Sequence, residues 1–360
     1  MAVLWLPMLN SVGKFWEFER KSENRIFRDT LHIYFSNLGV FPIEAEEFVN
    51  DNFSFRAPLL EAYNYEKFYV FNISPHPEKT IIGSDGWFFM SQKELDIYEG
   101  RKEFTDEQLA KFDSVWTNRK HYLDSSDIVS YWMICPMKQN VYPEKMPFNT
   151  RKKPGKTRVQ ILEDYLAEGF PNFIIDPTNA FLKAKDSMQL FYKLDNHWNR
   201  QAGLIATDLI IQRLQSDFSE IISPKFTNFN WVDTIYATGY HRDVVGIKSL
   251  REQDYFPVPN NEKATPSEVY NFPVTEGFPY PNDFEKVFRN PSDTTAPKIL
   301  IIRDSFGDQL IPFLKEPFSE SVFIFDGWNY GLNKEIIEEI KPDIVIFLGL
   351  ETHLEHFIER

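Results

Sequence analysis

The chain has 360 residues, of which 42% are hydrophobic and 16% aromatic, and its formal net charge is −14. This composition supplies enough apolar side chains for a packed core in one large domain, so it excludes a disordered chain. The negative charge argues against a nucleic-acid-binding protein, which needs a basic surface, and mildly against a strongly anionic polymer as substrate. The single cysteine, Cys135, excludes an internal disulfide, and no Cys/His cluster has zinc spacing, so neither a metal nor a cofactor is expected.

The N-terminal part of the chain differs from the rest. Residues 1–16 are rich in apolar side chains but too short to span a bilayer, and they lack a basic n-region and a cleavage site. We expect residues 1–16 to be the tail of a truncated membrane anchor. Residues 1–75 are predicted to form a helical segment, because their apolar side chains partly follow helical spacing. Residues 76–360 are predicted to form the main domain.

The main domain begins with a predicted β-hairpin, in which Thr80–Ile82 and Trp87–Phe89 flank a Gly-Ser-Asp-Gly turn. Strands and helices then alternate, which predicts a doubly wound parallel sheet. In chain order these elements are the helix Thr105–Leu123, the strand Ile128–Ile134, the helix Thr157–Ala167, the strand Phe173–Asp176 and the short helix Ala180–Lys185.

The next segment, Asp195-Asn196-His197-Trp198-Asn199, places a carboxylate and an imidazole two residues apart. On an extended segment, side chains two residues apart point to the same side. Asn199 is the predicted N-cap of a helix over Arg200–Leu214. His197 by itself also fits a structural histidine beside a surface aspartate.

Residues 217–296 are rich in Pro, Asn, Phe and Tyr and show little helical periodicity. They predict a long insertion of loops and short strands. His241 lies in this insertion and is predicted to be a surface histidine, with a substrate contact as the alternative.

After the insertion, Lys298–Ile302 is predicted to be a strand buried on both faces, and a helix is predicted from Asp308. Ser305 lies between them, at the end of the sheet where open α/β proteins bind ligands. Backbone N–H groups in such a turn are able to stabilise an anion. Ser305 is therefore a candidate nucleophile, provided that a base such as His197 accepts its proton. A turn or N-cap serine is the alternative.

The C-terminal part continues the alternation with a strand at Ser321–Phe325, a helix at Asn333–Ile340 and a strand at Pro342–Leu348. Asn329 follows the first of these strands. It is a candidate second donor to an oxyanion, although asparagine is also a common loop residue.

Taken together, the Asp195–Trp198 segment and the Asp304–Phe306 turn resemble the SGNH-hydrolase-like proteins of bacterial polysaccharide O-acetylation, a family of AlgX/AlgJ-like and DHHW-type proteins. The resemblance runs from about residue 20 to the C-terminus. Four further segments carry it: Ser22–Arg25, Glu46–Arg56, Ile82–Phe89 and Pro136–Pro143.

The resemblance implies a three-layer α/β/α SGNH-like domain with a parallel sheet and a permuted motif order, in which Asp195 and His197 precede Ser305. It implies that these three residues form a catalytic triad. Further oxyanion or substrate candidates are Phe306, Asn329, Arg303, Trp198 and Tyr330.

The sequence departs from the family pattern at two positions. Arg303 stands where many relatives carry glycine, and Asn196 stands where others carry threonine or histidine. Neither change removes a catalytic group. Arg303 either narrows the turn or adds positive charge near the oxyanion.

The implied activity is transfer of an acetyl group from an ester, through the serine, to a cell-surface or exported polysaccharide. The alternatives are a carbohydrate acetylesterase and a non-catalytic polysaccharide-binding scaffold subunit. The resemblance also implies a periplasmic or extracytoplasmic location and a membrane O-acyltransferase as the acetyl donor.

Overall fold

The structure is a computed structural model that describes residues 9–10, 15–16, 28, 30–32, 34, 39–53, 55–274, 277–327 and 329–359. The predicted anchor at 1–16 and the Ser22–Arg25 motif lie largely outside the described residues. The chain divides into two compact units, one formed by residues 1–77 and 243–249 and the other by residues 78–242 and 250–360.

In the first unit, helix α1 spans Phe41–Asn52, and helix α2, Arg56–Tyr65, continues into a π-helical turn at Glu66–Val70. The backbone N–H of Arg28 donates to the Asp51 carboxylate at 2.8 Å. The Arg28 guanidinium also pairs with Glu44 at 3.1 Å.

The second unit is built on a seven-stranded sheet. Its strands are β3 (Val129–Cys135), β4 (Ile174–Ile175), β7 (Thr265–Pro266), β8 (Glu285–Arg289), β9 (Lys298–Arg303), β10 (Glu320–Phe325) and β11 (Ile344–Leu350). Their order in the sheet is β4-β3-β11-β9-β10-β8-β7. The first five strands in that order are parallel, and the last two join the edge in antiparallel fashion. Strands β7 and β8 come from the region predicted as a loop-rich insertion, so part of that region belongs to the central sheet.

Helices cover both faces of this sheet, because successive side chains of its buried strands point to opposite sides. In β9, Ile299 and Ile301 enter one hydrophobic core, and Leu300 and Ile302 enter the other. The first core includes side chains of α7 (Thr178–Ala184) and α8 (Arg200–Leu214), and the second includes those of α4 (Asp106–Ser125), α6 (Arg158–Leu166) and α11 (Lys334–Ile340). The predicted α/β/α fold is confirmed, and the sheet predicted to be parallel is mostly parallel, with β8 and β7 antiparallel at one edge.

Two antiparallel hairpins lie outside the central sheet. Strands β1 (Thr80–Ile82) and β2 (Phe88–Met90) form the first hairpin, as predicted. Strands β5 (Phe229–Tyr236) and β6 (Glu252–Pro259) form the second. The remaining short helices are α3 (Lys93–Tyr98), α5 (Lys138–Val141), α9 (Tyr240–Val245) and α10 (Ile311–Leu314).

The Asn199 side chain accepts a backbone N–H in the first turn of α8, as predicted. The Thr105 and Asn333 side chains cap α4 and α11 in the same way. The helix predicted from Asp308 is instead a 3₁₀ turn at Ser305–Gln309 followed by α10. Pro312 explains the break, because proline has no N–H and is tolerated only in the first turn of a helix. Within the described residues, no helix is both long and apolar enough to span a membrane.

Candidate active site

Ser305 opens the 3₁₀ turn directly after β9, at the C-terminal edge of the parallel sheet. The residue before it, Asp304, is the N-cap: its Oδ1 accepts the Phe306 N–H at 2.9 Å. Of the alternatives for Ser305, the N-cap role is therefore excluded, because Asp304 fills it. Ser305 is half-buried, and its hydroxyl is left available for another partner.

Asp304 fixes the turn to the neighbouring strand. Its Oδ2 accepts the Tyr330 hydroxyl and the Leu350 N–H, both at 2.8 Å, and lies 3.4 Å from His353 Nδ1. Burial raises the pKa of Asp304, but these partners outweigh burial, and the pKa lies below its ordinary value. The carboxylate is therefore a charged anchor beneath the serine.

The backbone amides of the Ser305–Phe306 turn, which are predicted oxyanion donors, have different hydrogen-bond partners. The Phe306 N–H is occupied by Asp304, and the Gly307 N–H donates to the Asp304 carbonyl at 3.1 Å. The Ser305 N–H has no hydrogen-bond acceptor in the part of the chain that the structure describes. In this conformation the Ser305 N–H, and not the Phe306 N–H, is the amide of the turn that is available to an anion.

Asp195 and His197 lie in a bend rather than on an extended segment. An isolated antiparallel bridge between Phe191 and Trp198 closes the loop at both ends. Inside it, Asp195 Oδ1 accepts the His197 backbone N–H at 3.1 Å, which is an Asx-turn. The two side chains still face each other, but the reason is this turn and not the two-residue period of a strand.

The structure brings Ser305, His197 and Asp195 together. His197 Nε2 lies 2.7 Å from Ser305 Oγ, and His197 Nδ1 lies 2.7 Å from Asp195 Oδ1. Burial lowers the pKa of His197, but the hydrogen bond and charge of Asp195 raise it more, so the net shift is upward. Burial likewise raises the pKa of Asp195, and the His197 and Tyr236 hydrogen bonds more than reverse this. The arrangement keeps Asp195 ionised and the imidazole basic.

The second Asp195 oxygen is held by the region predicted as an insertion. Tyr236, at the end of β5, donates its hydroxyl to Asp195 Oδ2 at 2.9 Å, and the Tyr240 N–H donates to the same atom at 3.1 Å. Glu252, the first residue of β6, accepts the N–H groups of Lys193 and Leu194 at 2.7 and 2.8 Å. Hairpin β5–β6 therefore holds the Asp-His loop from outside the central sheet.

Lys138 holds the same loop from the sheet. Its buried ammonium donates to the carbonyl oxygens of Phe88, Lys193 and Asp195 at 2.5, 3.1 and 2.9 Å. Burial lowers the pKa of Lys138 to about 7, and the negative charges of Glu252 and Asp195 oppose that fall. The sequence places Lys138 at the sheet edge, but its three acceptors are distant in the chain.

The remaining predicted site residues support the turn. The Trp198 indole N–H donates to the Phe306 carbonyl at 2.7 Å, which joins the histidine loop to the serine turn. Tyr330 is fully buried, and its hydroxyl also lies 3.0 Å from His353 Nδ1. The Asn329 amide donates to Asp326 at 3.0 Å, and its role as an oxyanion donor stays a prediction.

Arg303 is fully buried under the turn. Its Nη2 lies 3.0 Å from Asp308, and a Cβ on Gly307 would lie 2.4 Å from its Cδ. Burial lowers its pKa, and Asp308 opposes this effect. Of the two alternatives for Arg303, the structure favours the packing role, because the side chain fills the space beneath Gly307 and its charge pairs with Asp308.

His241 is not a surface histidine. Its side chain is fully buried, and its Nδ1 lies 3.0 Å from Thr80 Oγ1. Burial lowers the pKa of His241 well below its ordinary value, so the ring is neutral. The His241 backbone N–H donates to the Leu194 carbonyl at 3.2 Å, which places His241 against the Asp-His loop.

Helix α8 touches the serine turn at a glycine. A Cβ on Gly203 would lie 2.1 Å from the Gln309 carbonyl oxygen, so only glycine permits this approach. Because Asn199 and His197 lie directly before α8, the contact sets the spacing between the two halves of the site.

Replacing Gly203 with alanine is expected to separate α8 from the serine turn. Stability should fall by about 1–3 kcal/mol, since overpacking outweighs the higher helix propensity of alanine. Ester turnover should fall by about 10²-fold, since a displacement of catalytic groups by about 1 Å is enough to cause a loss of this size. Urea unfolding and p-nitrophenyl acetate hydrolysis measure the two effects. Gly169→Ala is the matched control, because its Cβ would meet only Asp113 Oδ1, at 3.8 Å; equal effects of the two substitutions would contradict the prediction.

Comparison with known proteins identifies a family model described as "SGNH hydrolase-like domain, acetyltransferase AlgX", which matches residues 80–323. The comparison with curated protein sequences found no match. Among solved structures, Bacillus cereus PatB1 with a sulfonyl adduct is similar, with a TM-score of 0.56 and 15% identity over 76% of this chain and 97% of that one. A DHHW family protein from Eubacterium siraeum has a TM-score of 0.52 and 13% identity over 78% of this chain and 100% of that one. At these identities, the two structures support the fold alone.

Proposed function

This chain belongs to the family of SGNH hydrolase-like AlgX acetyltransferase domains, and from that premise we propose that it acetylates a hydroxyl group of a polysaccharide through a covalent acetyl-serine at Ser305. The observation that carries the proposal is the pair of 2.7 Å contacts that join Ser305, His197 and Asp195. A hydroxyl becomes an effective nucleophile when an oriented base accepts its proton, and this arrangement supplies both the base and the group that orients it.

In the first half-reaction, His197 Nε2 takes the Ser305 proton while Oγ attacks the carbonyl carbon of an acetyl ester. The Ser305 N–H donates to the oxyanion that develops, and Asp195 holds the Nδ1–H tautomer and stabilises the imidazolium. Collapse of the intermediate breaks the bond to the donor alcohol, which leaves with the proton from His197. Ser305 then carries the acetyl ester.

In the second half-reaction, a sugar hydroxyl gives its proton to His197 and attacks the acetyl-serine carbonyl. Collapse releases the O-acetylated sugar and returns the proton to Ser305. Water in place of the sugar gives hydrolysis by the same steps, so the geometry of the acceptor site decides between transfer and hydrolysis. We propose that a membrane O-acyltransferase supplies the acetyl group and that the protein acts outside the cytoplasm, in the periplasm or at the cell surface.

The proposal is tested by intact mass after incubation with p-nitrophenyl acetate and, separately, with phenylmethylsulfonyl fluoride. The second reagent is chosen because the PatB1 structure carries a sulfonyl adduct. Wild type should gain one acetyl or one sulfonyl group that peptide mapping places on Ser305, and Ser305→Ala should gain neither. Ser187→Ala removes an exposed serine and is the control. An adduct on another residue, or the same adduct in Ser305→Ala, would refute the serine nucleophile.

A further inference from the structure

An exposed aromatic ring lies in the segment that leads into β8. The Tyr280 side chain is 51% exposed. Its ring is nearly parallel to that of Phe325, with an interplanar angle of 5° and a centroid separation of 5.9 Å. Phe278 contacts the Tyr280 ring edge-on, at a centroid separation of 6.0 Å, so Phe325 and Phe278 together orient the half-exposed side chain.

This aromatic pair is connected to the serine turn. Phe325 is the last residue of β10 and is buried, and the Arg303 guanidinium carbon lies 4.7 Å from its ring centroid. Arg303 ends β9, two residues before Ser305, and its Nη1 donates to the Asp304 carbonyl at 3.1 Å. The stack of Tyr280, Phe325 and Arg303 therefore begins beneath the turn that presents the candidate nucleophile.

Lys286 links the segment that follows Tyr280 to the serine turn. Lys286 Nζ lies 3.2 Å from Asp283 Oδ1 and 3.3 Å from Asp308 Oδ1. The side chains of Asp283, Lys286 and Asp308 are 56%, 32% and 40% exposed. Asp308 belongs to the same 3₁₀ turn as Ser305. Arg303 Nη2 also lies 3.0 Å from Asp308 Oδ1, so the two carboxylates and two cations of this cluster balance, and each cation is already paired with a carboxylate.

We propose that Tyr280 is the stacking platform of the acceptor subsite and that the acceptor is an uncharged sugar chain. A flat ring with one supported face buries the apolar C–H face of a pyranose at little entropic cost. The Asp283 and Asp308 carboxylates accept hydrogen bonds from sugar hydroxyls, and Lys286 donates hydrogen bonds to sugar oxygens. Because Lys286 and Arg303 are already paired with Asp283 and Asp308, this cluster leaves no unpaired cation for the carboxylate of a uronic-acid polymer, which favours an uncharged sugar. This assignment rests on the proposed function, since it names the substrate class of the same site.

Binding is measured separately from chemistry, so that the two proposals fail independently. Isothermal titration of cellohexaose into Ser305→Ala protein should show saturable binding, and adding Tyr280→Ala should weaken it by about 10-fold. Adding Tyr280→Phe to Ser305→Ala keeps the ring, so this double variant should bind cellohexaose as tightly as Ser305→Ala does. Tyr165→Ala is the control, because Tyr165 is 46% exposed on α6 and plays no part in the proposed subsite.

In the protein with Ser305 intact, Tyr280→Ala should raise the KM for cellohexaose by the same factor and leave the rate of Ser305 acetylation without acceptor unchanged. If Tyr280→Ala acted only by destabilising the fold, it would lower the rate of Ser305 acetylation as well. Absence of cellohexaose binding, equal binding with and without Tyr280, or tighter binding of oligogalacturonate would overturn the subsite. Failure of Ser305 labelling alone would overturn the proposed acetyl transfer and leave the binding result intact.

Discussion

Replacing His197 with glutamine is expected to lower the rate of Ser305 acetylation by p-nitrophenyl acetate by about 10⁴-fold. Glutamine is able to hydrogen-bond the Ser305 hydroxyl but cannot accept its proton, so the hydroxyl stays a weak nucleophile. Stopped-flow detection of the acetyl-enzyme burst measures the rate. Asn196→Ala is the matched control, because this neighbour lies in the same loop and outside the hydrogen bonds of the proposed triad.

The pH dependence gives an independent check of the same arrangement. Only neutral His197 is able to accept the Ser305 proton, so kcat/KM should rise with pH as His197 loses its own proton. Because Asp195 raises the pKa of His197, the midpoint of this rise should lie above the ordinary histidine pKa of about 6.5. Asp195→Asn removes the charge that stabilises the imidazolium, so the midpoint should move to lower pH while the maximal rate also falls. A midpoint that stays in place in Asp195→Asn, or a His197→Gln protein of near wild-type rate, would refute the assigned roles.

Replacing Lys138 with methionine is expected to destabilise the protein by about 2 kcal/mol or more, because the buried Phe88 and Asp195 carbonyl oxygens lose their donor at about 1–3 kcal/mol each, whereas the Lys193 carbonyl keeps the Phe88 N–H at 3.0 Å. Methionine keeps the approximate length of the side chain, so lost hydrogen bonds and not a large cavity dominate the effect. Two of those carbonyls, on Lys193 and Asp195, belong to the loop that carries His197. Urea unfolding should show the loss of stability.

Lys138 is a positioning residue, so its replacement should also lower the rate of Ser305 acetylation when that rate is normalised to folded protein by near-UV circular dichroism. Lys185→Met is the matched control: its ammonium donates to a single carbonyl, of Val141, and otherwise pairs with Glu144. It should cost about 1 kcal/mol and leave acetylation unchanged. Equal losses in the two variants, or an unchanged acetylation rate in folded Lys138→Met protein, would contradict the assigned role.

The sequence identifies the elements whose signals are local. The alternating strands and helices, the buried strand before Ser305 and the cap of α8 at Asn199 are encoded in contiguous residues. The family-specific motifs also name the residues that the structure brings together, although they say nothing of distances. The Asx-turn at Asp195 and the 3₁₀ turn at Ser305 were missed because a tight turn and a short extended or helical segment have similar local patterns.

Only the tertiary structure decided which groups support the site. The acceptors of Lys138, the attachment of Asp195 to Tyr236 and the approach of Gly203 to Gln309 join residues far apart in the chain, and no periodicity encodes such pairs. The occupied Phe306 N–H likewise depends on where the Asp304 side chain turns. Local sequence thus determined the elements and named the reactive groups. Packing of the sheet edge determined their distances and charges, because burial and hydrogen bonding act between neighbours in space and not in sequence.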